Sequence, residues 1–160
     1  FDVSLTSTGY AYCVVSRIIA GRIRPGKLRG VYRLAYIAAV VENHIQVSGA
    51  DVICMEGYSM GTPKKTQGGV GRFFSIGELG GVLKSVAIRR KLTLVTAPPS
   101  TIKMFATGNG AAGKSDVIDA VSALWGLPKL PNDEADAVAL LKLVRALASC
   151  NTEYQPLHSA

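Results

Sequence analysis

Four acidic residues have types and positions that could support chemistry, in a chain that carries few acids. The chain has 11 Asp and Glu against 18 Lys and Arg, which gives a net charge of +7. Asp2 is the second residue of the chain, Glu56 follows the apolar run 52–55, and Asp133 and Asp136 lie three residues apart. A basic protein has little reason to place carboxylates among apolar residues unless a cation meets them there. The pattern therefore indicates one metal site.

Each of these acids also has an ordinary structural explanation. Asp133 follows Asn132 at the predicted start of a helix, where it could cap the helix and interact with the helix dipole. Glu56 could be a charge at a strand end that faces solvent. Asp2 could form an Asx turn before Ser4. Only the joint placement of the acids favours a metal site over these alternatives.

Composition limits the class of protein. Hydrophobic residues make up 48% of the chain, and 160 residues suffice for one well-buried domain but not for two ordinary ones. The charge of +7 suggests a polyanionic partner, with nucleic acid as the default. No segment has the ~20 apolar residues of a membrane span, and three scattered cysteines indicate reduced thiols. We therefore expect a single domain over residues 1–160, located in the cytoplasm, nucleoid-associated or of viral origin, with no membrane partner.

Strand-like and helix-like segments alternate along the chain. The predicted strands are residues 9–15, 17–23, 51–55 and 92–96, and the predicted helices are 30–47, one through 76–86, and three that begin at Pro99, Ser115 and Asn132 or Asp133. We also expect a first strand that ends at Asp2 and lies largely upstream of Phe1. This order predicts one α/β domain with a mixed five-stranded sheet flanked by helices.

The predicted elements would bring the acids together. Asp2 and Glu56 each end a strand, and ligand sites in open α/β sheets lie beyond the carboxyl ends of the strands. Ala135, Ala137 and Ala139 would let the last helix approach the sheet closely. Converging carboxylates can hold two divalent ions ~4 Å apart, which activate water and stabilise the leaving oxygen of a phosphodiester. Oxygen ligands without nearby His or Cys favour Mg²⁺, with Mn²⁺ as a substitute.

Five segments, in order, resemble the motifs of the RuvC-type Holliday junction resolvases. Residues 2–11 resemble the opening motif, in which a catalytic Asp is followed six residues later by Thr-Gly. Residues 53–58 resemble an apolar strand that ends in a catalytic Glu near an aromatic residue, and residues 76–82 resemble a glycine-containing helix. Residues 108–128 resemble the segment that carries a family lysine, and residues 133–137 match the closing D-x-x-D-A.

The resemblance covers essentially the whole chain and implies a function. It implies an RNase H-like fold and a homodimer that resolves four-way (Holliday) DNA junctions, with no nucleotide cofactor. The implied reaction is a pair of Mg²⁺-dependent hydrolytic nicks that leave 5′-phosphate and 3′-hydroxyl ends. Asp2, Glu56, Asp133 and Asp136 correspond to the catalytic metal ligands for two ions, with Asp2 shared between them.

Basic and aromatic residues complete the implied site. Lys103 and Lys114 lie where the family has basic residues near the scissile phosphate, and a lysine there could stabilise the transition state. An ordinary solvated helix surface is the alternative for both. The long loop 57–72 is rich in glycine and cations and could follow a DNA backbone, while an aromatic residue in it could stack on an exposed base. The predicted DNA contacts are Tyr58, Lys64, Lys65 and Arg72.

A second motif supports a competing function. Residues 108–115 fit G-x-x-x-x-G-K-S, the phosphate-binding P-loop, and would make the chain a nucleotide hydrolase. A P-loop directly follows a buried strand, whereas Ser100 to Thr107 is predicted to be helical. The P-loop hydrolase is therefore the alternative hypothesis. A non-catalytic protein that binds branched DNA would fit the charge but would not need all four acids.

Overall fold

A computed structural model describes residues 1–57 and 69–150, without the side chains of 69–73 and 150. Strands and helices alternate as predicted, with small shifts at their ends. The elements are β1 (Thr8–Val14), β2 (Arg17–Ile23), α1 (Gly30–Ser48), β3 (Val52–Glu56), α2 (Gly69–Arg89), β4 (Thr93–Ala97), α3 (Pro99–Thr107), α4 (Lys114–Trp125) and α5 (Asn132–Cys150). Within the described ranges, no helix is long and apolar enough to cross a membrane.

The four strands form two pairs that are joined by the first residues of the chain. β1 pairs with β2 antiparallel, and β3 pairs with β4 parallel. Asp2 forms an antiparallel bridge with Gly9 of β1. On its other side, the Phe1 nitrogen donates to the Cys54 carbonyl at 2.7 Å, and the Glu56 N–H donates to the Phe1 carbonyl at 3.0 Å. Phe1 and Asp2 therefore occupy the fifth strand position, between β1 and β3.

Helix α5 packs across the strands through its small residues. Ala135, Ala137 and Ala139 are buried, as the sequence predicted, because the helix lies close to β1, β2 and β3. Their neighbours on α3 and α4 form one apolar cluster with the helix, around Val121 and Leu140. A second cluster lies between α1, α2 and the strands and includes Ile37 and Leu83. The first cluster positions α5, and with it Asp133 and Asp136.

Three predicted helix starts need correction. Helix α4 begins at Lys114, so Gly113 rather than Ser115 occupies the cap position, and the Gly113 N–H donates to the Asp116 carboxylate at 2.9 Å. Helix α5 begins at Asn132, with its first backbone hydrogen bonds accepted by the Pro131 carbonyl. Neither Asn132 nor Asp133 is therefore the cap of α5. Helix α2 begins at Gly69, which places Arg72 in its first turn and not in a loop.

Candidate catalytic centre

Asp2 and Glu56 meet beside the carboxyl end of β3. The Glu56 backbone is fixed by its hydrogen bond to Phe1, and the Asp2 backbone by its two bonds with Gly9, at 2.9 and 3.0 Å. Their carboxyl groups interact directly. Burial, a hydrogen bond with Glu56 and the Glu56 and Asp133 charges raise the pKa of Asp2 to about 8. Asp2 therefore binds a proton more readily than a free carboxyl, at a position where a cation could balance its charge instead.

Asp133 reaches the centre because α5 begins directly against β1. A Cβ atom at Gly9 would lie 1.9 Å from the Asp133 carbonyl oxygen, so only glycine permits this approach. The Ser7 hydroxyl, just before β1, donates to the Asp133 carboxylate at 2.5 Å. Asp133 is thus turned towards the first residues of the chain and away from its own helix end.

Asp136 lies one turn further along α5 and faces the same centre. Its carboxylate accepts a hydrogen bond from Asn132 Nδ2 at 3.0 Å. Burial, together with the Asp2 and Asp133 charges, raises the pKa of Asp136 to about 6, although the Lys103 and Lys114 charges oppose the shift. These interactions show that all three aspartates share one electrostatic environment, which Glu56 enters through Asp2.

Two lysines border this environment from α3 and α4. The Lys103 ammonium is half-buried and donates to the Ala112 carbonyl at 2.8 Å, which fixes its position. Lys114 is the first residue of α4 and is exposed. Both charges lower the pKa of Asp136, which supports a place for the two lysines at the edge of the centre. The cations could neutralise a phosphate that approaches the acids.

The P-loop-like segment lies between two helices. Helix α3 separates residues 108–115 from β4, so the segment does not follow a strand as a P-loop does. Gly108 ends α3 in the left-handed conformation, with φ of 75°. The predicted helix from Ser100 to Thr107 is confirmed, and with it the reason for ranking nucleotide hydrolysis second.

The donor set fits a hard divalent cation, although it is open. Among the described residues, no three His, Cys, Asp or Glu side chains gather closely enough to enclose a metal ion. Each carboxyl group instead has a hydrogen-bond partner. Asp2 pairs with Glu56, Asp133 with Ser7, and Asp136 with Asn132. The raised pKa of Asp2 marks a position that a cation could take.

Sequence reasoning overlooked three residues at this centre. Ser7 lies in a polar run and carried no distinctive signal, and Asn132 was interpreted as a cap. Lys84 of α2 lines a cavity of about 290 Å³ together with Glu56 and Thr96. Tyr58, Lys64 and Lys65 lie outside the described residues, as does the side chain of Arg72, so their DNA contacts stay predictions.

Comparison with known proteins identifies the family. A family model described as crossover junction endodeoxyribonuclease RuvC matches residues 2–144. RuvC of Mycobacterium leprae is 33% identical over 110 residues, which are 68% of this chain and 55% of that protein. RuvC of Caldicellulosiruptor saccharolyticus is 29% identical over 138 residues, which are 84% and 79% of the two chains. The chain thus spans about half the length of the mycobacterial relative.

A solved structure shows the same fold. Thermus thermophilus RuvC, in complex with a Holliday junction substrate, superposes with a TM-score of 0.74 at 18% identity. The match covers 94% of this chain and 93% of that one, and a second structure, of Thermus thermophilus RuvC, gives a TM-score of 0.71. The predicted RNase H-like α/β fold is therefore confirmed. The family match over residues 2–144 shows that this chain belongs to the RuvC family.

Proposed function

We propose that the chain is a metal-dependent endodeoxyribonuclease that resolves four-way DNA junctions. The observation that carries this proposal is the electrostatic coupling of Asp2, Glu56, Asp133 and Asp136 in one centre bordered by two lysines. Burial and the neighbouring acids raise the pKa of Asp2 and of Asp136, and a bound cation would favour the charged form of both. The family of the chain supports the reaction, since its relatives are named crossover junction endodeoxyribonucleases.

The four acids would hold Mg²⁺, which Mn²⁺ could replace. We infer two ions, with Asp2 between them because it interacts with both Glu56 and Asp133. Bound divalent ions activate an attacking water and neutralise the charge that develops on the phosphate. The oxygen-only ligand set supports these metals over zinc.

The remaining groups of the centre would position the ligands and the phosphate. Ser7 orients Asp133 through its hydroxyl, and Asn132 orients Asp136 through its amide. Lys103, held by the Ala112 carbonyl, would offer a fixed positive charge to a phosphate oxygen as the charge there increases. The more exposed Lys114 would bind the DNA backbone at the edge of the centre. The hydrolysis would leave 5′-phosphate and 3′-hydroxyl ends.

The substrate would be branched DNA bound by a homodimer. A net charge of +7 favours binding to phosphates, and the Thermus thermophilus structure contains a Holliday junction. On α2, Phe74 is 66% exposed and Ile88 is 74% exposed, and they lie fourteen residues apart on one helix face with Gly81. This exposed helix face, which also carries Glu78 and Ser85, suits a two-fold contact in which each protomer cuts one strand. A protein acting on DNA is expected in the cytoplasm.

Cleavage of a labelled four-way junction tests the proposal. With Mg²⁺ we expect symmetric paired nicks in the junction and no cutting of a linear duplex of the same sequence. Glu56→Gln should reduce cleavage at least 100-fold, because it removes a carboxylate from the centre. Glu42→Gln is the matched control, since Glu42 pairs with Arg89 on the surface of the molecule, and it should cut like the parent chain.

The same assay separates the competing functions. ATP hydrolysis without DNA cutting would support the P-loop hypothesis and overturn the nuclease. Tight junction binding without cutting in either Mg²⁺ or Mn²⁺ would identify a non-catalytic binder of branched DNA.

A further inference from the structure

Asn132 occupies the junction between α5 and the acidic centre. It is the first residue of α5, and its amide Nδ2 donates to the Asp136 carboxylate one turn along the helix, at 3.0 Å. A carboxylate accepts hydrogen bonds, so the amide nitrogen must face Asp136 and the amide oxygen must point elsewhere. The hydrogen bond therefore fixes the orientation of the Asn132 side chain, with Nδ2 facing Asp136 and Oδ1 pointing away from it.

The amide oxygen of Asn132 is buried without a partner. In the described part of the chain, Oδ1 is shielded from solvent and accepts no hydrogen bond. A buried acceptor left unsatisfied costs about 1–3 kcal/mol, so such an atom in a native site points to a missing ligand.

Two donors of the centre already donate to other acceptors. The Lys103 ammonium donates to the Ala112 carbonyl, at 2.8 Å. The Ser7 hydroxyl donates to the Asp133 carboxylate. No donor in the described part of the chain reaches Asn132 Oδ1, and water that enters an acidic centre with a divalent cation supplies O–H donors.

We propose that Asn132 is a positioning residue of the metal centre. Its Nδ2 holds the Asp136 carboxylate in place, and its Oδ1 accepts a hydrogen bond from a water molecule that accompanies the cation. The inference rests on the proposed function, because it requires that a divalent cation binds near Asp136. It adds to the four acids a neutral residue that controls the affinity for the ion.

Two substitutions and one control test the role without measuring DNA cleavage. Asn132→Leu keeps the size of the side chain and removes both polar ends, whereas Asn132→Ala also shortens it. Asn43, exposed on α1, is the matched control as Asn43→Ala. The measurement is the Mn²⁺ dissociation constant, by titration calorimetry or by the paramagnetic resonance signal of free Mn²⁺, with thermal unfolding of each metal-free variant.

We expect Asn132→Leu and Asn132→Ala each to weaken Mn²⁺ binding about 10-fold or more, with Asn43→Ala unchanged. The metal-free Asn132→Leu variant should unfold at the same or a higher temperature, because it loses an unsatisfied buried oxygen. Parent-like Mn²⁺ affinity in the folded Asn132→Leu variant would overturn the proposal, as would a parent chain that binds no Mn²⁺ at millimolar concentration.

The results distinguish a wrong positioning role from a wrong proposed function. If the parent chain binds Mn²⁺ with an affinity that depends on Asn132 but cuts no junction, the proposed resolvase activity is wrong and the positioning role stands. If the parent chain cuts junctions but neither Asn132 substitution changes the Mn²⁺ affinity, the proposed resolvase activity stands and the positioning role is wrong.

Discussion

Gly9 and Asp133 are in direct backbone contact, at a distance that no residue with a side chain could tolerate. A Cβ at Gly9 would lie 1.9 Å from the Asp133 carbonyl oxygen and 2.6 Å from its carbonyl carbon. Backbone atoms at the start of a helix cannot move aside as the end of a flexible side chain can. The contact brings the two acids of α5 to the strand ends that carry Asp2 and Glu56.

Gly9→Ala should therefore displace the start of α5. We expect a loss of about 1–3 kcal/mol in the free energy of unfolding, the range for overpacked sites, measured by urea denaturation. Gly113→Ser is the control, because a Cβ there makes an ordinary contact of 3.4 Å with Asp116. Equal stability of the Gly9→Ala and parent chains would show that α5 does not need this approach.

The metal-free protein should lose stability as the pH rises. The pKa of Asp136 is raised to about 6 and that of Asp2 to about 8, both from 3.8. The folded chain therefore holds these protons more tightly than the unfolded chain, and the stabilisation is complete below about pH 4 and lost through each folded pKa. The free energy of unfolding should fall between pH 5 and 8 in EDTA.

Two additions isolate the cause of this pH dependence. Asp2→Asn should flatten the decline, and saturating Mg²⁺ should reduce it because the cation replaces the proton. Asp51→Asn, at an exposed position before β3, should leave the decline unchanged. A stability that is constant from pH 5 to 8 in the metal-free parent would contradict the burial of the acids.

Ser7→Ala should weaken the centre with little cost to the fold. The Ser7 hydroxyl holds the Asp133 carboxylate at 2.5 Å, and loss of such a supporting hydrogen bond typically costs 10–100-fold in metal affinity or activity. We expect Mg²⁺-dependent junction cleavage to fall by about 10-fold. Ser4→Ala removes a hydroxyl whose hydrogen bond, among the described residues, is with the exposed Thr6 hydroxyl, and this variant should cut normally.

Lys103→Met should lower cleavage by at least 10-fold while the chain stays folded. Methionine keeps most of the side-chain volume and removes the charge that acts on Asp136. The pKa of Asp136, followed by carboxyl carbon resonance, should rise above about 6 in the same variant. Lys129→Met is the control, since Lys129 pairs with Asp119 in an exposed bridge. An unchanged pKa of Asp136 would show that the Lys103 charge does not act on the centre.

Phe74→Glu should dissociate the proposed homodimer. A charge at this exposed apolar position on α2 would be buried without a partner in a two-fold contact. Sedimentation at micromolar concentration should show a monomer, while Leu124→Glu, also on an exposed apolar residue, should sediment like the parent. If the parent chain is itself a monomer, the proposal that two protomers meet at this surface and each nick one strand is wrong.

Local patterns predicted the fold well, because hydrophobic periodicity and turn residues determine where elements begin and end. The acids at strand ends were predictable for the same reason, since strand ends are visible in the sequence. Contacts across the chain were not. Asn132 matched the residue type of a helix cap, yet Pro131 occupies the cap position and the Asn132 amide binds Asp136 instead.

The Ser7–Asp133 bond was unpredictable because it joins residues 126 positions apart. Gly9 did carry a signal that could have been used. A glycine inside a strand often marks the close approach of another backbone, and here that backbone is the first turn of α5.

The position of Phe1 and Asp2 gives the centre a mechanical role. These residues carry the backbone hydrogen bonds that connect β1 to β3, and one of them is also a predicted ligand. A cation held between Asp2, Glu56 and the acids of α5 would therefore fasten two halves of the sheet to each other and to the helix. Loading the ion should slow hydrogen exchange at the amides of Gly9 and Glu56, far more than at β4.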